Sequence, residues 1–369
     1  MTSPALFTPF SLGQLLLKNR IIVPPMCQYS ALDGHMQPWH LMHLGSLAVS
    51  GSALVFIEAT AVEPAGRISP ADVGLWDDAT QEAIARTLRD IRSFSDTPFA
   101  IQLAHAGRKA SCAQPWFGGG QLPLDQGGWD TFGPSPVPFD PQDRPPQALD
   151  AEGLERIIAA FVQAARRSVD LGIDAIELHG AHGYLLHEFL SPLSNQRTDE
   201  YSGSLENRMR FPLAVFKAVQ AEVAGKVPTG MRISASDWVE GGWDVEQSIR
   251  FTQELASLGA AFIHVSSGGL SQAQQITNEP GYQLPFAQAI KNAVDIPVIG
   301  VGLITDPQFA ESVVASGQAD LVGVARGMLY DARWPWHAAA ELGTSIDASP
   351  QFWRSQPSRL KTLFTKNMS

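Results

Sequence analysis

Only two cysteines, Cys27 and Cys112, occur in the 369 residues. Two thiols cannot build a disulfide framework, a zinc cage or an iron–sulfur cluster. No apolar run approaches the ~20 residues of a membrane-spanning helix, so no membrane partner is expected. The opening MTSPALFTPF lacks the basic and apolar segments of a secretory signal, which makes the cytoplasm the expected location. Basic residues are outnumbered, 26 Lys and Arg against 37 Asp and Glu, for a formal net charge of −11. That balance argues against nucleic-acid and anionic-membrane partners, because Lys and Arg supply most phosphate affinity. A Gly-x-Gly-x-x-Gly turn is missing as well. Gly300-Val301-Gly302 has no third glycine in register, so the fingerprint of an open dinucleotide-binding sheet is not there.

What is present is repetition. Apolar or β-branched runs recur at Arg20–Met26, Ala53–Thr60, Phe99–His105, Asp174–Gly180, Pro228–Ser234, Ala261–Ser267, Pro297–Gly302 and Leu321–Arg326. Runs such as ALVFIEAT and PVIGVG are apolar on both faces, as strands buried in a parallel sheet are. Between them, stretches such as EGLERIIAAFVQAARRSVDLG carry apolar residues at three- and four-residue spacing, the helical period. Strand–helix alternation repeated eight times predicts an α/β chain with a single (β/α)8 TIM barrel spanning 1–369. With 44% hydrophobic residues the chain can fill such a core. One connection breaks the rhythm. Residues 106–149 follow the third strand with no period, eight prolines and two glycine clusters. An excursion this long, leaving the barrel's C-terminal face, reads as a functional lid or as a shield.

Barrel chemistry belongs at the C-terminal ends of strands. The glycines after strands seven and eight, with Arg326, suit a single phosphate site. One site favours a mononucleotide over a dinucleotide. His179 and His182 stand three apart after strand four. They suit a metal site if His105 or Glu58 joins them, a pair of N–H donors aimed at one oxygen, or a structural role. Tyr184, two residues on, can deliver a proton to a carbanion. Arg232 lies inside a buried strand pattern, so it needs an anionic ligand or a neighbouring carboxylate. Glu58 and Glu177 leave a hydrolytic barrel open as a rival.

The stretch HGAHGYLLHEFLSPLSNQRTDEYSGSLENRMRF, from His179 to Phe211, resembles the signature of the Old Yellow Enzyme family of NADH:flavin oxidoreductases. KNRIIVPPMCQYS, from Lys18 to Ser30, resembles the family's first strand. Cys27 and Tyr29 point to its thermophilic-like and xenobiotic-reductase subclass. The likeness continues through EATAVEPAGRIS, IQLAHAGRKA, MRISASDW, GVGLIT and ADLVGVARGML, and so covers nearly the whole chain.

The resemblance implies a non-covalent FMN, NADPH or NADH as reductant, and reduction of activated C=C bonds by a ping-pong route. It implies a flavin resting against Pro24, Pro25, Met26 and Cys27, with Ala59 beside the ring. Gln102 would meet the pyrimidine edge and Arg232 the N1 region. Val301, Gly302, Ala325 and Arg326 would hold the phosphate. Cys27 would tune N5, and Tyr29 would hold the substrate. His179 and His182 would bind its oxygen, hydride would go from N5 to the β-carbon, and Tyr184 would protonate the α-carbon. The xenobiotic-reductase branch carries a tryptophan where this chain has Val301. In the thermophilic-like branch a C-terminal arginine enters the neighbouring subunit of a homodimer or homotetramer. QFWRS resembles that tail, which makes Arg354 and Trp353 the candidates within residues 344–369. A flavin-storing or redox-sensing role for Cys27 is the non-catalytic alternative.

Overall fold

The computed structural model describes residues 3–365. Residues 1–2 and 366–369, the ends of the expected span and tail, lie outside the described residues. Eight parallel strands close into a ring in chain order: β1 Ile21–Val23, β2 Leu54–Ala61, β3 Phe99–Ala104, β4 Ala175–Gly180, β5 Thr229–Ser234, β6 Phe262–Ser266, β7 Val298–Gly300 and β8 Leu321–Gly323. Each falls within the run expected for it or reaches one residue past it, so the (β/α)8 barrel is the fold.

The runs read as apolar throughout because each strand is buried on both faces. Ile22, Leu54, Phe56, Ala100, Ala175, Phe262, Ile299 and Leu321 form one cluster inside the ring. Leu12 and Leu17 join it from a hairpin of Phe10–Leu12 and Leu15–Leu17 that plugs the N-terminal end. The alternate residues, among them Ile21, Val55, Ile101, Ile176, Met231, Ile263 and Val322, pack outward in a second, larger cluster.

That outer cluster is covered by helices α1 Pro38–Ala48, α2 Asp78–Arg92, α3 Ala151–Asp170, α4 Leu185–Leu190, α5 Leu205–Val223, α6 Val245–Ser257, α7 Leu284–Lys291, α8 Pro307–Ala315, α9 Arg326–Tyr330 and α10 Trp334–Glu341. Asp77, Asp150, Asp244 and Asp306 cap α2, α3, α6 and α8 by accepting the N–H three residues on, satisfying a donor the helix cannot. Gly172 and Gly259 follow α3 and α6 at φ +66° and +88°, the left-handed stop. No described helix is long and apolar enough to cross a membrane.

Residues 106–149 hold three short 3-10 turns, Gly107–Lys109, Pro115–Phe117 and Leu124–Gln126, and two paired two-residue strands, Phe132–Gly133 and Gln147–Ala148. Trp116, from the excursion, meets Tyr29 edge-on at 6.0 Å between ring centroids. The tail returns to the other end of the barrel. Ile346–Asp347 pairs with Phe364–Thr365, and Asp347–Pro350 shares a cleft with Gly51, Thr97 and Asp174, which precede β2, β3 and β4.

Candidate active site

The site begins where the inward-facing residues stop being apolar. Above Phe56, Ala100, Ala175 and Phe262, the same parity brings in Glu58, Gln102, Glu177, Arg232 and His264. Gln102 Nε2 donates to Glu177 Oε1 at 2.7 Å, and Glu177 Oε2 lies 2.7 Å from His264 Nδ1. Buried polar groups are as a rule paired, and among the exceptions in this layer one faces the mouth. Arg232 Nε is buried with no hydrogen-bond partner. Glu177, held from both sides at mid-strand, has no oxygen to offer across a sugar bond. The hydrolytic rival loses its second carboxylate.

β1 runs into the irregular stretch Pro24–Tyr29, which ends in the left-handed region at Tyr29, φ +48°. A register shift in β2 between Ile57 and Ala59 turns Glu58 toward it, and Glu58 Oε1 accepts from Gln28 N at 3.0 Å. His40 Nε2 stands 3.5 Å from Glu58 Oε2. This is not an ion pair at neutral pH. Burial lifts Glu58 to about 8 and brings His40 down to about 4. A carboxyl raised on folding contributes stability that is full below its ordinary value of 4.5 and is lost as pH rises through about 8. The lowered His40 contributes the opposite sign up to its ordinary 6.5, so thermal melts should show Tm falling from there to about 8. Glu58→Gln keeps the acceptor for Gln28 and should flatten the fall, leaving the part due to Glu188, which burial also lifts to about 8. An unchanged slope would mean that Glu58 is already charged.

Beside Glu58, the Ala59 backbone lies close enough to the Cys27 sulfur to lower its pKa, which brings two expected flavin neighbours together. Burial first, then Asp72 and Glu58, pushes the Cys27 thiol well up. A thiol held protonated, even part-exposed as Cys27 is, is a poor redox sensor.

At the mouth, His179 stands one residue before the end of β4, next to Arg232 in register, and the chain then turns sharply through His182 at φ +58° and Gly183 at +75°. A Cβ on Gly183 would stand 2.3 Å from Gly269 O and 2.8 Å from Leu270 Cα. Backbone cannot yield to it, so Gly183→Ala should destabilise the fold by more than ~1 kcal/mol. Chemical denaturation measures this, and a neutral substitution would contradict the turn. The turn brings the rings of His179, His182 and Tyr184 together, with centroids 5.1 and 4.8 Å from His179. His179 Nε2 and His182 Nδ1 are 3.4 Å apart. Two nitrogens so spaced can both reach one oxygen at the ~2.8 Å of a hydrogen bond.

Burial, with Arg232 next, drives both imidazoles well below their ordinary pKa, so both are neutral. Their tautomers follow from their partners. His179 Nδ1 accepts from Ala181 N at 3.3 Å, which leaves the proton on Nε2. His182 Nε2 lies 2.7 Å from Ser266 Oγ. Ser266 has one proton; when it goes to His182 Nε2 and not to Gln283 Oε1, 3.2 Å away, His182 carries its proton on Nδ1 and both histidines present N–H to the same point. Burial also raises Tyr184 well above the usual phenol value, so it stays protonated.

Three contributors were not visible as site residues in sequence. Ser266 selects the His182 tautomer. Gln283 accepts from Ser267 at 2.8 Å and is the competing acceptor for the Ser266 proton. Lys109 donates to His182 O and Gly269 O, both at 2.8 Å, beneath the Tyr184 ring. GRKA directly after the third strand was the available signal for Lys109, and the end of the sixth strand was the signal for Ser266; nothing in the sequence marked Gln283. No group of three His, Cys, Asp or Glu among the described residues could hold a metal, so His105 and Glu58 do not join the histidine pair.

From β7 and β8 the turns enclose a cleft of ≈ 160 Å³ lined by Arg232, Tyr282, Val301, Gly302, Ala325 and Arg326. Gly302 takes φ +132° and Gly323 admits no side chain, since a Cβ would meet Val301 at 2.6 Å. Trp353 and Arg354 stand apart from all of this. Trp353 donates to Ala348 O at 2.9 Å, in the tail that packs at the opposite end of the barrel, and Arg354 is exposed.

A closed parallel barrel with a glycine-walled cleft and an unpaired guanidinium at its mouth is the architecture of a cofactor-dependent barrel enzyme. Residues 5–344 match the NADH:flavin oxidoreductase / NADH oxidase family. The chain is 43% identical to an NADPH dehydrogenase of Bacillus licheniformis over 96% of its own length and 100% of the relative's. It is 41% identical to the NADPH dehydrogenase of Bacillus subtilis over 95% and 98%. Among solved structures, morphinone reductase superposes with a TM-score of 0.77 at 26% identity, over 100% of this chain and 95% of the other. The chain belongs to the NADH:flavin oxidoreductase family, the Old Yellow Enzyme family it resembles in sequence. It is an FMN enzyme that takes electrons from NAD(P)H. The residues fit FMN: an orphaned buried Arg232 Nε awaits an acceptor, and the Gly302 and Gly323 walls leave backbone room for a phosphate.

Proposed function

We propose that the chain is an ene-reductase acting on enones and maleimides, and on nitro compounds. The observation that carries this reading is the pair of neutral imidazoles whose nitrogens stand 3.4 Å apart beside a protonated tyrosine. Bound FMN would supply the hydride chemistry, accepting from NADPH or NADH and delivering to the acceptor's β-carbon. Arg232 and Gln102 hold the flavin ring by its N1 and pyrimidine edges, and Pro24, Pro25, Met26, Cys27 and Ala59 support it. Cys27 acts there as a neutral thiol. Val301, Gly302, Ala325 and Arg326 take the phosphate.

His179 and His182 donate to the acceptor's carbonyl or nitro oxygen. Their bonds strengthen as negative charge gathers on it, so they act most on the transition state. Tyr184 O–H gives its proton to the α-carbon, and Tyr29, backed by Trp116, closes over the substrate. The 106–149 excursion serves as a lid through that contact. NAD(P)H and the acceptor use the same pocket in turn, which removes any need for a dinucleotide-binding fold. We further propose a cytoplasmic homodimer or homotetramer in which Arg354, with Trp353, enters a neighbour's site. Support comes from the tail's position at the end of the barrel remote from its own site.

Steady-state kinetics with NADPH and 2-cyclohexenone test the scheme. Parallel double-reciprocal lines are expected. Intersecting lines would mean that both substrates bind together and would overturn it.

A further inference from the structure

The polar layer inside the barrel contains a histidine for which the reaction above has no use. His264 lies at the middle of β6, wholly buried, with Nδ1 2.7 Å from Glu177 Oε2. Glu177 takes a second hydrogen bond from Gln102 Nε2 at 2.7 Å. A carboxylate accepting on both oxygens is acceptor-only, so neutral His264 carries its proton on Nδ1. Its other nitrogen, Nε2, is buried with no hydrogen-bond partner. A bare imidazole lone pair in a closed interior is costly to keep, and it is a basic site at which a proton can bind.

The surroundings define what would bring that proton in. Phe56 of β2 faces the His264 ring at 6.0 Å, and a Cβ on Gly323 of β8 would stand 3.7 Å from Nε2. The titratable and charged groups that face His264 are Glu177 and His179 of β4 and Arg232 of β5; β3 contributes the neutral Gln102. Burial lowers the pKa of His264, Glu177 raises it and Arg232 lowers it, which leaves the ring neutral while no further charge is present. The formal charges of Arg232 and Glu177 then sum to zero across the layer. Negative charge added next to Arg232 therefore leaves the layer net negative.

We propose that His264 Nε2 takes up a proton from solvent when the bound cofactor is reduced, and returns it on reoxidation. This rests on the flavin reading above. The step balances. NADPH surrenders a hydride, two electrons and one proton, and leaves as NADP+. The extra proton comes from water or buffer, forms an N–H bond at Nε2, and breaks no other bond in the protein. His264 thereby acts as a positioning residue for charge, not as a group that touches substrate.

The experiment is an anaerobic reduction of the holoenzyme by stoichiometric NADPH, near neutral pH, in weak buffer containing an indicator dye. Hydride transfer alone consumes no proton, whereas the proposal predicts uptake of about one proton per FMN. His264→Asn retains an N–H for Glu177 but has no second nitrogen to titrate, and should abolish the uptake. The flavin midpoint potential should fall by about 60 mV per pH unit in the native enzyme and about 30 mV in the variant, one proton per two electrons being worth about 30 mV. A native enzyme with no uptake and the shallower slope overturns the proposal, with no variant required. Equal uptake by His264→Asn, or by His264→Gln should Asn fail to fold, overturns it too. A protein that binds no FMN would instead remove the flavin reading, so the two failures are distinct.

Discussion

Replacing both mouth histidines, His179→Ala with His182→Ala, should lower cyclohexenone turnover by about a thousandfold. Each donor aimed at developing oxygen charge is worth roughly 10²–10³ in rate, and a pair acting on one oxygen is not additive. A thousandfold corresponds to about 4 kcal/mol of transition-state stabilisation. Phenols should lose their affinity, and with it their charge-transfer band, since phenolate oxygen needs the same two N–H groups. The loss should not extend to FMN content, because the cofactor's expected contacts lie with Arg232, Gln102 and the β7–β8 turns. Phenol binding with its band intact would make the pair structural. Ser266→Ala is the gentler companion. Without the hydroxyl 2.7 Å from His182 Nε2, that ring is free to carry its proton on Nε2, and part of the loss should follow.

Tyr184→Phe should divide the two half-reactions. Reduction of the flavin by NADPH moves no proton through Tyr184 and should keep its rate. Reduction of the enone should slow by about a hundredfold, within the range of a positioned general acid. Stopped-flow traces read the two halves separately. Equal rates for variant and native enzyme with cyclohexenone would remove the proton-donor role. Lys109 offers a pH signature for the same region. Burial brings its ammonium down to about 8, so its hydrogen bonds to the carbonyls of His182 and Gly269 weaken above that pH. Affinity for phenols should decline with them.

The barrel was legible in sequence because β1–β8 are buried on both faces and so appear as unbroken apolar runs. The same property hid the interior chemistry. FIHVS reads as one more buried strand, yet its inward parity sets His264 in the polar layer with Gln102, Glu177 and Arg232. Arg232 stood out because a guanidinium in such a run is rare, whereas a single histidine is not. The His179–Tyr184 turn was legible as a cluster, but its tautomers depend on Ser266 and Ala181, and no spacing rule connects β4 to β6. Residues 106–149 carry no period, so Trp116 against Tyr29 could not be read from order alone, and for Lys109 only its place directly after the third strand could. The polarity of the tail was similarly silent. Only the fold reveals that Asp347–Pro350 packs beside Gly51 and Asp174, at the end of the barrel away from the site.

The central claim is that the barrel mouth holds a flavin reducible by nicotinamide and oxidisable by an alkene. An anaerobic absorbance titration tests it in one cuvette. The purified protein should be yellow, NADPH should bleach it, and cyclohexenone added without air should restore the colour. A colourless protein that will not take up FMN, or a bleached one that the enone leaves bleached, would contradict the account.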